Sequence, residues 1–80
     1  MKLPRDIRGE ELAKLLEKYG YSVIRQSGSH IRLTSTIKGE HHLTIPKHTS
    51  LKIGTLNNIL NDISHHLEID KQTLVYELFP

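Results

Sequence analysis

Residues 21–35 read YSVIRQSGSHIRLTS. Two runs rich in aromatic and β-branched residues, Tyr21 to Gln26 and Ser29 to Ser35, flank Ser27-Gly28. Side chains of that kind suit a pleated surface. A glycine between two such runs supplies the positive φ that a tight hairpin turn needs. The stretch therefore predicts two antiparallel strands joined at Gly28. Successive side chains alternate across a strand, so Ile31 and Leu33 point one way while His30, Arg32 and Thr34 point the other.

Downstream, Lys38-Gly39 marks a second turn and His42 to Pro46 a third strand. Leu43 and Ile45 face inward there, with His42 and Thr44 outward. Pro46 removes a ladder donor and closes the strand. Upstream, Leu12, Leu15, Leu16 and Tyr19 hold the i, i+3, i+4, i+7 spacing of one helical face. Glu10 and Glu11 favour the first turn through the helix dipole, and Gly20 supplies a left-handed cap. After the polar, basic loop Lys47 to Lys52, the same spacing recurs in Leu56, Ile59, Leu60 and Ile63, continued by Leu67. Asp70 caps a short third helix carrying Leu74, Val75 and Leu78. No internal repeat or low-complexity stretch interrupts this order.

The order is thus helix, three antiparallel strands, helix, short helix: an α+β fold in one domain, 1–80. Helices with one apolar face need the sheet to cover them, and one face of three strands suffices. The α-β-β-β-α order is that of double-stranded-RNA-binding domains, an analogy of fold that by itself assigns no function. The other sheet face, with His30, Arg32, His42 and Thr44, is left for solvent or a ligand.

The chain has 80 residues, 36% of them apolar, 25% charged, and no cysteine. A chain of that size buries only about 60–65% of its unfolded surface, so the core is thin. Without cysteine, thiol catalysis and Cys-ligated zinc fingers are excluded. No apolar run approaches the roughly 20 residues of a membrane span, and Met1 to Arg8 has no signal-peptide core. The expected location is cytoplasmic. The net charge of +2 is unevenly spread: residues 21–54 carry Arg25, Arg32, Lys38, Lys47 and Lys52 against Glu40 alone, a balance of +4. Four of the six histidines (His30, His41, His42, His48) fall in the same segment. Positive charge gathered in one segment points to a polyanionic partner, although an ordinary solvated surface has the same composition.

His30, just past a tight glycine turn, is held by stiff backbone. Imidazole titrates near pH 6.5 and both accepts and donates protons. Cleaving RNA needs a base for the 2′-hydroxyl, an acid for the leaving oxygen and positive charge for the phosphorane. His30 can be base or acid, and Arg32, two residues along the same face, can hold the phosphate bidentately. Lys47, His48 and Lys52 follow the neighbouring strand and can add charge or the second proton-transfer group. The plainer alternative is a surface histidine bonded to a neighbouring hydroxyl. His41-His42 and His65-His66 are adjacent pairs that do not converge as metal ligands do, so no metal or other cofactor is expected; His65-His66 instead help finish the second helix. Gly54-Thr55 at a helix start suits a phosphate or an ordinary N-terminus.

Gly28-Ser29-His30, the Ile45-Pro46-Lys47-His48 stretch and Lys52-Ile53-Gly54-Thr55-Leu56 resemble, in order and spacing, the three signature segments of the HicA family. These are small toxins of bacterial and archaeal toxin–antitoxin pairs. The resemblance covers essentially the whole chain. It implies an mRNA-cleaving endoribonuclease (an mRNA interferase) of double-stranded-RNA-binding-like fold, together with a HicB-type antitoxin that covers the active face. It also implies that His30 is catalytic, with Gly28 and Ser29 shaping the turn that presents it. Arg32, Lys47, His48 and Lys52 are then RNA-contacting candidates, and the free toxin is expected to be monomeric. The competing reading is a module that grips RNA without cutting it. A binder could exchange His30 for lysine or arginine with little loss, and a catalyst could not. A protein-interaction module is weaker, since aromatics number only Tyr19, Tyr21, Tyr76 and Phe79. The same scarcity argues against RNA binding by base stacking.

Overall fold

The computed structural model describes residues 3–80; Met1 and Lys2 lie outside them. The elements are α1 (Gly9–Leu15), a 3₁₀ turn (Leu16–Tyr19), β1 (Ser22–Ser27), β2 (His30–Ser35), β3 (His41–Pro46), α2 (Ile53–Leu67) and α3 (Lys71–Leu78). The three strands form an antiparallel sheet in the order β1-β2-β3. This is the α+β, double-stranded-RNA-binding-like arrangement expected, with helices on one face of the sheet.

The core lies between that face and the helices. Ile31 and Leu33 of β2 and Leu43 and Ile45 of β3 are buried against Leu12 and Leu16 and against Leu56, Leu60, Ile63 and Leu67 of α2. α3 adds Leu74, Val75 and Leu78, and Asp70 caps it by accepting from the Thr73 amide at 3.2 Å.

The first helix departs from expectation in its phase. Its buried stripe is Gly9, Leu12, Ala13 and Leu16, while Leu15 is 37% exposed and Tyr19 is only half-buried. The cause is Gly9. A Cβ at that position would sit 1.5 Å from the Pro46 carbonyl oxygen, so only glycine lets α1 approach the end of β3 backbone to backbone. Small residues at Gly9 and Ala13 then turn toward the sheet, and Leu15 rotates outward. Backbone bonds fix the approach: Glu10 donates to the Lys47 carbonyl (3.2 Å), and Leu51 to that of Ile7 (2.8 Å). Lys47 in turn donates to the Ser29 carbonyl at 2.7 Å. The start of α1, the end of β3 and the β1–β2 turn are thereby tied in series.

At the other end of the sheet a polar cluster joins the strands to α2. His41 Nε2 lies 3.2 Å from an Asp62 carboxylate oxygen, and its Nδ1 shares a 2.6 Å hydrogen bond with the Tyr21 hydroxyl. The His41 ring stacks on that of His66, centroids 4.3 Å apart. His66 Nε2 donates to the carbonyls of Ile37 and Gly39, each at 3.1 Å. His66 therefore fastens the β2–β3 turn, where the sequence placed it merely at a helix end.

Two outcomes follow from this packing. Gly9→Ala is expected to destabilise the protein by about 1–3 kcal/mol despite alanine's better helix propensity, because the backbone overlap must be relieved; thermal unfolding by circular dichroism reads it. Alkaline pH is expected to lower the stability of the fold. Burial, aided by the Asp62 charge, pushes the Tyr21 phenol up to about 12. Tyr19 rises similarly, to about 12, through burial and its bond to Glu77. A tyrosine raised in the folded state favours folding fully below pH 10 and loses that contribution as pH climbs through about 12. A denaturant midpoint that stayed flat from pH 9 to 12 would contradict this.

Candidate active site on the open sheet face

The turn between β1 and β2 has two residues, Gly28 and Ser29, and pairs Ser27 with His30. Gly28 has φ +58°, and a Cβ there would meet nothing within 4 Å. Glycine is favoured there by the dihedral alone, as in hairpin loops with glycine at the first central position. Counting from this pair, the open face carries three cross-strand rows: Ser27, His30 and Pro46; then Arg25, Arg32 and Thr44; then Ser22, Thr34 and His42.

The first two rows form a cavity of about 300 Å³ lined by Arg25, Ser27, His30, Arg32 and Thr44. Arg32 Nη1 donates to Thr44 Oγ1 at 2.9 Å, which lays the guanidinium across β3. No carboxylate lines the cavity. Glu40 stands beyond it, paired through His42 Nε2 at 2.5 Å in the third row. The cavity thus joins one imidazole, able to carry a proton either way, to two guanidinium forks suited to phosphate oxygens.

The candidate residues divide. His30 and Arg32 line the cavity, and Gly28 and Ser29 form its turn. Lys47 points to the other side of the sheet, where its ammonium donates to Gln26 Oε1 at 2.6 Å in a groove beside α1. Its backbone, however, holds Ser29 and so the turn. His48 is exposed two residues beyond Pro46, the partner of His30. Lys52 is exposed at the start of α2, its side chain making no cap. Among the described residues, no group of three or more His, Asp or Glu is placed to hold a metal ion.

Arg25 is the residue that strand alternation missed. From Val23, which pairs with Leu33, simple alternation sends Arg25 to the helix side. A β-bulge intervenes: the register moves from Val23↔Leu33 to Arg25↔Arg32, leaving Ile24 as the extra residue. Counting backward from the two-residue turn, instead of forward from Tyr21, finds the pairing.

Residues 9–65, from the start of α1 almost to the end of α2, match the family described as HicA toxin of bacterial toxin–antitoxin. The matched span contains the whole cavity. No curated protein and no solved structure matches the chain.

Gly28→Ala is expected to lower stability by about 1–2 kcal/mol although it creates no clash, because a side chain at positive φ is strained. Thermal unfolding, with NMR shifts of His30 as a local reporter, checks both the loss and its confinement to the turn.

Proposed function

The chain belongs to the HicA family, the toxin half of bacterial toxin–antitoxin pairs, and from that premise we propose that it is an endoribonuclease cleaving mRNA with His30 as its proton-transfer residue. The observation that supports this most is the cavity itself, which sets His30 beside Arg32 on a stiff sheet with no carboxylate to compete for the guanidinium. Membership of the family implies an antitoxin partner. A HicB-type protein covering the open face would silence the site simply by excluding RNA.

The chemistry needs two proton transfers around one phosphorus. The 2′-hydroxyl gives up its proton as its oxygen attacks the adjacent phosphorus. The P–O bond to the 5′ oxygen breaks, and that oxygen takes up a proton. One product ends in a 2′,3′-cyclic phosphate, the other in a 5′-hydroxyl. His30 supplies one of these transfers, worth about 10²–10⁴ in rate. Arg32 binds the non-bridging oxygens, where negative charge grows in the transition state. His48, at the same end of the sheet as His30, is the candidate for the second transfer. Lys47 and Lys52 flank that end and would neutralise neighbouring phosphates, Lys47 after releasing Gln26.

A single histidine in the cavity also favours a second reading, a module that binds RNA without cutting it. One experiment separates them. Purified wild-type and His30→Ala proteins are incubated with RNA and with the same RNA carrying 2′-O-methyl groups. The nuclease reading expects wild type to cut only the unmodified RNA, and His30→Ala to lose at least about 10²-fold in rate. The melting temperature should move little, since His30 is exposed. Equal cleavage by the mutant would remove His30 from the chemistry. Binding without cleavage by folded wild type would leave the binder.

A further inference from the structure

We propose that Arg25 and Arg32 form a two-guanidinium clamp for one phosphodiester group, and that the bulge at Ile24 aims Arg25 into it. The clamp rests on the nuclease reading only in naming RNA as the source of that phosphate.

Arg25 and Arg32 are direct cross-strand partners. Like charges placed opposite one another destabilise a sheet, and arginine cannot relieve the conflict by losing its proton. Neither guanidinium enters an ion pair among the described residues; those pairs use Lys38, His41 and His42. No carboxylate reaches the cavity from β1, β2 or β3. The arrangement is unfavourable when empty and favourable with an anion between the forks.

The bulge makes the conflict more telling. Regular pairing would put Ile24 opposite Arg32 and Arg25 opposite Ile31, on the helix side. One extra residue instead sets Arg25 across from Arg32. Bulges commonly re-aim a side chain next to a site. A phosphodiester suits the pair: its two non-bridging oxygens are splayed about a tetrahedral phosphorus, so each can accept from a different guanidinium. Because His30 lines the same cavity, the clamped phosphate is the one the imidazole can reach.

The test combines stability with binding, using Arg25→Thr and Arg25→Lys. In chloride buffer Arg25→Thr is expected to melt about 1–5 °C above wild type, because the repulsion is gone. Inorganic phosphate at constant ionic strength should raise the wild-type melting temperature more than that of the variant. Affinity for a 2′-O-methyl RNA oligonucleotide should fall about 10-fold in Arg25→Thr and several-fold in Arg25→Lys, which keeps the charge and loses the fork. An Arg25→Thr protein that melts no higher than wild type, or either variant binding the oligonucleotide as tightly, overturns the clamp. None of these readouts requires cleavage. A wild type that cuts nothing yet shows them sinks the nuclease reading and leaves the clamp standing; active wild type with equally active Arg25→Thr does the reverse.

Discussion

The open face is counted from one pair, Ser27 opposite His30, closed by the two-residue loop Gly28-Ser29. A hairpin of that length admits one register, and a slip of a single residue would send every side chain of a strand to the opposite face. His30, Arg32 and Arg25 share a face because glycine at φ +58° lets the chain reverse there. The turn is also held from behind. Ser29 accepts from Lys47, and the Lys47 carbonyl accepts from Glu10 where Gly9 abuts Pro46. A helix start and a strand end thus brace the backbone that carries the imidazole, so the side chain stands on rigid elements rather than on a loose loop.

Much of this was legible in the sequence. The stripe of α2, the cap at Asp70, the three strands and the facing of His30 and Arg32 follow from period and turn chemistry alone. Elsewhere a tertiary contact, a bulge or the end of a strand overrides the local pattern. Leu15 fits an apolar helical spacing as well as Ala13 does, and only the contact between Gly9 and Pro46 decides which faces the sheet. Arg25 was hidden by a bulge, which breaks the period-two rule that strand reading relies on. Lys47 looked like part of the basic face, yet its strand has ended at Pro46 and its side chain lies on the α1 side, with Gln26. Loop residues carry no period, so their facing cannot be read from spacing.

The division of labour between the two sheet faces explains why so small a fold can hold uncompensated charge. The apolar contacts lie on the helix side, among residues such as Leu33, Ile45, Leu12 and Leu60. The face with Arg25, Arg32 and His30 contributes nothing to that core, so its residues are free of packing duties. A facing pair of like charges destabilises the sheet locally, set against a total of about 4–12 kcal/mol for a domain this long. That is tolerable once, and only once the opposite face is well packed.

The bulge at Ile24 then serves β1 in a second way. β1 is an edge strand exposed along its whole length, with Val23 45% and Ile24 52% exposed. Such an edge invites pairing with another strand, and proteins guard edges with bulges and with charge. β1 carries both, the bulge after Val23 and the guanidinium of Arg25. The device that blocks unwanted strand addition is the same one that brings Arg25 to the cavity. Straightening β1 would therefore take one guard from the edge and turn Arg25 away from the cavity at the same time.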